Sequence, residues 1–271
     1  MPELPEVETT LRGIAPHMLG QTVSRLQVRQ WSLRWPIPKS LPAKVKGQTI
    51  KSLRRRGKYL LFEFDTGTAI MHLGMSGSVR IVSPQQPLLK HDHVDWVVGS
   101  GQIARFNDPR RFGALLWAEG DAEQHQLLKS LGPEPLRKAF GGDYLFRQSR
   151  KRKQAIKSFI MDSKIVVGVG NIYANEALFL AGIRPGRAAG SLSRAQCLTL
   201  AEQIKAVLRR AINVGGTTLR DFVNSDGQPG YFKQSLYVYG RDGQPCKLCA
   251  LPLKLRRLGQ RATVYCPNCQ G

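Results

Sequence analysis

Acid is what this 271-residue sequence is short of: nineteen Asp and Glu stand against forty-one Lys and Arg, a formal charge of +22. An excess of that size goes beyond what solubility requires and implies a polyanionic partner. Other absences narrow that partner. No apolar run approaches the roughly 20 residues of a membrane-spanning helix, and the acidic N-terminus has neither the basic nor the apolar region of a secretion signal. Repeats and low-complexity tracts are lacking as well. The expectation is a cytoplasmic protein, with no membrane contact, that works on nucleic acid. Cysteine is scarce too: there are five, and four of them fall in two close pairs, which in a reducing interior read as metal ligands rather than disulfides.

The chain begins "MPELPEVETT". Proline suits a first helical position, and Glu3, Glu6 and Glu8 place carboxylates where a helix dipole favours them. Leu4, Val7, Leu11 and Ile14 then repeat at helical spacing. From 22 to 118 the pattern turns to short strands rich in β-branched and aromatic residues: "TVSRLQVRQ", "KYLLFEFD", "TAIMHLGMSG", "VDWVVGS" and "ARFNDPRRFGALLW". Antiparallel strands at this spacing predict a sandwich or barrel partly covered by the first helix. Near "LGPEPL" the period becomes helical, and Pro133 with Pro135 marks a boundary. The clearest helix starts at Ser193, which with Gln196 makes a capping-box pattern, and it ends at Gly215 and Gly216. Cys197 falls in that helix's apolar stripe and reads as a core residue.

Three regions carry chemistry. "CKLC" followed by "CPNC" sets Cys246, Cys249, Cys266 and Cys269 at the spacing of a structural zinc ribbon, closed by four thiolates and offering no open position to activate water. Between the knuckles lie Lys254, Arg256, Arg257 and Arg261 without an acid, a cationic hairpin tip aimed at phosphate. A second basic stretch, "RQSRKRKQAIK", precedes "MDSKIVVGVGNIYANEALF", where Gly168 and Gly170 let amides converge before a helix expected to start at Asn171. Arg150, Lys151, Arg152 and Lys153 support a phosphate contact there. In the β half, Lys58 stands at a strand start. His91 and His93 fit a surface strand or phosphate contact better than a metal site, and Arg110, Arg111 and Phe112 follow a turn, readable as surface charge and core or as a base-stack wedge.

Taken together, "MPELPEVET", "RRGKYL", "HLGMSGS", "KHDHVD", "DPRRFGA", "LGPEPL", "VVGVGNIYANEALF", "GGTTLRDFVNSDGQPGYF" and "QRATVYCPNCQ" span the chain in order. The sequence closely resembles the bacterial formamidopyrimidine-DNA glycosylases, base-excision enzymes for oxidised purines. The resemblance implies an α+β protein: a β-sandwich flanked by helices over 1–131, a helix-two-turns-helix domain over 132–223, and a C-terminal zinc ribbon over 236–271, acting as a monomer on damaged double-stranded DNA in the cleft between halves.

By the same resemblance, Pro2, freed by removal of Met1, attacks C1′ of the damaged nucleotide and forms a Schiff base with the opened sugar. Glu3 donates a proton for base loss, and Glu6 matches a position in the damage pocket. Lys58 acts as acid or base in β-elimination, and Arg261 assists δ-elimination. Met75, Arg110 and Phe112 match an intercalating trio in which Arg110 faces the orphaned cytosine. His91, Arg110, Arg152, Lys58 and Asn171 match phosphate contacts, and "TTLRDFVNSDGQPGYF" matches a loop closing over the extruded base. One structural Zn2+ is the implied cofactor. No role attaches to Trp31.

Two rival readings remain at this stage. A related glycosylase of the endonuclease VIII type shares the Pro-Glu start and the ribbon but prefers oxidised pyrimidines; Leu4, the Met75, Arg110 and Phe112 trio and the long loop favour the purine enzyme. A non-catalytic zinc-ribbon DNA-binding protein would use the charge and the cysteines without using the N-terminus.

Overall fold

The first helix, α1, runs Leu4–Met18 and does not begin at the second residue. Glu3 is its N-cap and Pro5 fills the early helical position that the sequence pattern gave to Pro2, so Pro2 lies just outside the helix. Leu4, Val7 and Ile14 are buried, and Leu11 packs against the same core, as the helical period requires. The structure, a computed structural model, describes residues 1–216 and 236–271. The stretch "TTLRDFVNSDGQPGYF" lies outside them.

The chain forms two compact units, one from 1–129 with 214–216, the other from 130–213 with 236–271. The first unit holds two four-stranded antiparallel sheets. One orders β1 (Val23–Val28), β6 (Asp92–Val98), β7 (Ile103–Asn107) and β5 (Ser78–Val82); the other orders β2 (Ser52–Arg56), β3 (Tyr59–Phe64), β4 (Gly67–His72) and β8 (Ala114–Ala118). The stretch "ARFNDPRRFGALLW" is thus two strands, not one: β7 and β8 belong to different sheets, and Asp108–Gly113 crosses between them. β2 and β5 are short and carry Arg residues, which hides them from an apolar pattern. A short helix, α2 (Leu41–Val45), packs on β1.

The core of this unit draws on α1, α2 and both sheets. Trp96 and Phe62 are fully buried and stack with ring centroids 4.8 Å apart. Burying side chains of this size contributes on the order of 2–3 kcal/mol each. The buried charge of Arg105 and Asp95 in the first sheet is paired: Arg105 holds Asp95 through two nitrogens at 2.9 and 3.1 Å. Burial alone would raise the Asp95 carboxyl, but Arg29 and Arg105 outweigh it and hold it below its ordinary range.

The second unit contains α3 (Gly142–Ser149), α4 (Ile156–Met161), α5 (Asn171–Leu180) and α6 (Arg194–Asn213), then a hairpin of β9 (Lys254–Leu258) and β10 (Arg261–Tyr265). The capping box of α6 forms as the sequence predicts, with Ser193 N–H to Gln196 Oε1 and Gln196 N–H to Ser193 Oγ both 3.1 Å. Cys197 is fully buried, and Gly215 and Gly216, at φ +80° and +83°, follow the helix end. Residues 237–239 and the hairpin are tied to α5 by polar side chains, and Phe179 of α5 shares an apolar cluster with Val238, Leu253 and Val264. Glu176 accepts backbone N–H groups of Tyr237, Val238 and Tyr239 at 2.7–2.9 Å, and Asn175 Oδ1 accepts from Val264 N–H at 3.1 Å.

Candidate functional site

Pro2, Glu3 and Glu6 are all buried at the start of α1. Two carboxylates tolerate this because the helix terminus supplies donors: Glu3 N–H reaches Glu6 Oε2 at 2.8 Å, and the Glu3 carboxylate accepts from the amide of Glu6. The terminal amine of Met1 feels this setting directly. Burial draws it below its ordinary value, Lys58 and Arg110 draw it the same way, and Glu3 and Glu6 oppose them. An amine, two carboxyl groups, Lys58 and Arg110 are therefore brought into one electrostatic neighbourhood. Such a set can attack an electrophilic carbon and move protons around it. Met1 is attached in this structure, so the Pro2 nitrogen is a tertiary amide.

Next to this terminus two turns touch. Met75 follows β4 and is 38% exposed, while Phe112 precedes β8 and is 43% exposed. Gly74 sits at φ +69°, and a Cβ there would lie 2.5 Å from Gly113 N, so only glycine lets the turns meet. The guanidinium of exposed Arg110 lies 4.8 Å from the Phe112 ring centroid. Met1, Arg34, His72, Gly74, Met75 and Phe112 line a cavity of about 350 Å³. Two large apolar side chains held in water beside an arginine are what insertion into a base stack needs. His91 is half-buried, and its ring lies 6.1 Å from that of His93. His93 is buried with Nε2 2.9 Å from Asp108 O, so the surface reading of the His-x-His pair fails for His93. Among the described residues neither histidine joins a metal-ligating cluster.

In the second unit, Asn171 opens α5 behind Gly170, with Gly168 at φ +83°. Its Oδ1 is buried and makes no hydrogen bond among the described residues. Arg152 and Lys153 are exposed. Two other cations of that stretch are spent internally. Arg150 donates to Phe146 O, Ser149 Oγ and Leu192 O, and Lys157 is 1% exposed with Nζ donating to Ala262 O and Thr263 Oγ1 at 2.8 and 2.7 Å. Sequence spacing alone could not separate these from free surface charge. Arg261 begins β10, exposed, after a two-residue Gly259-Gln260 turn with both residues at positive φ.

The four cysteines Cys246, Cys249, Cys266 and Cys269 converge, with all four Sγ atoms within 4.8 Å of one another. Cys246 to Cys269 is 3.9 Å and Cys249 to Cys266 is 3.4 Å, near the roughly 3.8 Å edge of a tetrahedron of sulfurs around an ion with bonds of about 2.3 Å. Leu248 N–H and Cys269 N–H point at Cys246 Sγ and Cys266 Sγ, both at 3.4 Å, and such donors stabilise thiolates. The donor set fits a structural metal with no open coordination position.

Residues 1–115 match the family described as formamidopyrimidine-DNA glycosylase N-terminal domain, and 131–223 match its H2TH domain. The chain is 62% identical over 270 residues to the formamidopyrimidine-DNA glycosylase of Cellvibrio japonicus and 60% identical to that of Thioalkalivibrio sulfidiphilus, covering 100% of each chain. The chain belongs to the formamidopyrimidine-DNA glycosylase family. Among solved structures, the glycosylase resembles the MutM (Fpg) protein from Thermus thermophilus, at TM-score 0.89 and 38% identity over 99% of this chain and 98% of that one. It also resembles the Lactococcus lactis Fpg in complex with DNA containing an abasic site, at TM-score 0.91 and 32% identity over 99% of both chains.

Family membership makes the glycosylase a base-excision repair enzyme and removes the reading of a zinc-ribbon module without catalysis. The structure also adds residues to the site that sequence patterns missed. Arg34 and His72 line the cavity beside the terminus, and Asp108 lies behind the Met75 and Phe112 turns. A lone arginine, a lone histidine at a strand end and an acid in a turn rich in cations carry no spacing signal, so only the fold could find them.

Proposed function

We propose that the glycosylase is bifunctional, removing 8-oxoguanine and formamidopyrimidines from duplex DNA and then cleaving the strand as an abasic-site lyase. Its nucleophile is the Pro2 amine, exposed when Met1 is removed. The nitrogen attacks C1′, the bond to the damaged base breaks, and Glu3 supplies the proton that the leaving base requires. The iminium formed with the opened sugar withdraws electrons, so loss of a C2′ proton expels the 3′ phosphate, with Lys58 as acid or base. Loss of a further sugar proton expels the 5′ phosphate with help from Arg261, leaving a one-nucleotide gap.

Around this chemistry, Met75 and Phe112 enter the stack as the nucleotide is extruded, at a cost of a few kcal/mol in lost stacking, and Arg110 faces the orphaned cytosine. His91, Arg152 and Asn171 join Lys58 and Arg110 on phosphates, and Glu6 shapes the damage pocket. Zinc is the metal of the four cysteines, since four thiolates in a closed tetrahedron suit it. The chain divides at 131 and 223 into sandwich, helix-two-turns-helix and, from 236, ribbon. The protein works as a monomer in the bacterial cytoplasm, on nucleoid DNA.

The observation that carries this reading is the placement of buried Pro2 and Glu3 at the chain terminus directly before α1, beside buried Glu6, where the terminal charge also feels Lys58 and Arg110. Borohydride added during reaction with an 8-oxoguanine:cytosine duplex should trap a covalent adduct whose peptide mass lacks Met1. The Pro2→Gly variant should lose most of it, and a thymine glycol duplex should yield far less adduct. An adduct retained by Pro2→Gly, or a preference for the pyrimidine lesion, would overturn the assignment.

A further inference from the structure

Asp108 takes no part in the chemistry proposed above, yet it is fully buried and its polar atoms reach three DNA-directed stretches. Oδ1 accepts from Ser76 Oγ at 3.1 Å, beside Met75, and Oδ2 accepts from Gly113 N–H at 2.7 Å, beside Phe112. Its carbonyl accepts from Arg111 N–H at 3.2 Å and lies 2.9 Å from His93 Nε2, which must carry the proton there because a carbonyl only accepts. Its own N–H donates to His91 O at 3.1 Å. Met75, His91, Arg110 and Phe112 thus each lie within two residues of a group bonded to Asp108.

We infer that Asp108 is a positioning residue whose buried carboxylate locks the Met75 turn to the Phe112 turn, so that the two side chains enter the base stack as one rigid wedge. Burying a carboxylate is costly unless charge-assisted hydrogen bonds compensate it, and here each oxygen accepts from a different turn. Separating the turns would leave one oxygen unsatisfied in the interior, which makes joint placement the low-energy state. The packing agrees. A Cβ at Gly74 would strike Phe112 C at 2.5 Å, and one at Gly113 would lie 2.7 Å from the Phe106 ring and 3.0 Å from Asp108 Oδ2. Arg111 is held at φ +55°, a conformation few non-glycine residues adopt, directly between Arg110 and Phe112. A wedge must resist the stack it opens, and a fixed pair resists better than two independent loops.

This inference rests on the reading of Met75 and Phe112 as intercalating side chains, and the test separates the two. Full-length protein is mixed in a stopped-flow instrument with an 8-oxoguanine duplex carrying 2-aminopurine beside the lesion, and the fluorescence rise reports opening of the stack. Asp108→Asn keeps the shape but turns one acceptor into a donor. It should slow the rise and the excision roughly tenfold or more. Cleavage of a preformed abasic site in single-stranded DNA, which has no paired stack to open, should change less than about threefold. The double variant Asp108→Asn with Phe112→Ala should be no slower than Phe112→Ala alone. Wild-type opening by Asp108→Asn alongside slowed opening by Phe112→Ala would overturn the clasp and leave the wedge, as would equal losses on duplex and single strand. Unchanged opening by both Met75→Ala and Phe112→Ala would overturn the wedge and the clasp with it. If Asp108→Asn does not fold, Ser76→Ala removes a single arm, and wild-type opening by that variant would overturn the clasp.

Discussion

His72 shows how one side chain couples the site to pH. Its Nδ1 accepts the Gly74 N–H at 2.9 Å, and its ring packs 4.9 Å from that of Tyr59, so the native state needs that nitrogen unprotonated. Burial, then Lys58 and Arg34, lower its pKa to about 4. The folded value lies below the unfolded one near 6.5, so the unfolded chain takes up the proton first. Stability from this group is complete above pH 6.5 and is lost as pH falls towards 4. The side chain keeps some exposure, which leaves an expected loss of about 1–2 kcal/mol between pH 7 and pH 5. Urea unfolding should show that loss in the wild type and a smaller one in His72→Asn; equal losses would mean the histidine is not the group responsible. Nothing in "HLGMSGS" gave this away, because the acceptor role depends on a turn that only the fold closes.

At the scale of elements the sequence was most readable where one local rule sufficed. The capping box of α6, its buried stripe and its glycine stop need only nearest neighbours along the chain, and all three formed. The start of α1 slipped by a few residues because two prolines compete for one position, and burial of Leu4 and Pro5 decided between them. β7 and β8 looked like one strand because both are apolar, yet they pair with different sheets. The ribbon was legible from its cysteines, but not its anchorage on α5 through Asn175 and Glu176. Its hairpin exposes most of β9 and has few apolar contacts of its own, so the metal should supply much of its stability. Chelation should therefore raise amide hydrogen exchange in β9 and β10 and weaken DNA binding, while β1–β8 keep their protection. A metal-free protein with native exchange in the hairpin would contradict the structural role.

Over the whole molecule the excess of +22 predicts binding that weakens steeply with salt. The folded structure says which charges contribute. Arg152 is exposed, whereas Arg150, two residues earlier, spends its guanidinium on Phe146, Ser149 and Leu192. Fluorescence anisotropy over a salt series should give a slope of about 0.9 per phosphate neutralised. Arg152→Ala should lower that slope by about one contact, and Arg150→Ala should leave the slope alone while lowering the melting temperature. The reverse pattern would mean that the stretch meets DNA through a different arginine.

The sequence by itself determined what depends on composition and short spacing: a polyanionic partner, a four-cysteine metal site, capped helices, and the motifs that carry the family resemblance. Tertiary structure decided which members of those motifs are available. Lys157 and Arg150 are as basic as their neighbours but are consumed by backbone carbonyls, and Asp108, an acid among cations, is buried where it ties its own turn to one 32 residues earlier. Desolvation is the reason for the difference. A charge is free to meet DNA only if the fold leaves it in water, and that depends on neighbours distant in sequence that no local pattern records.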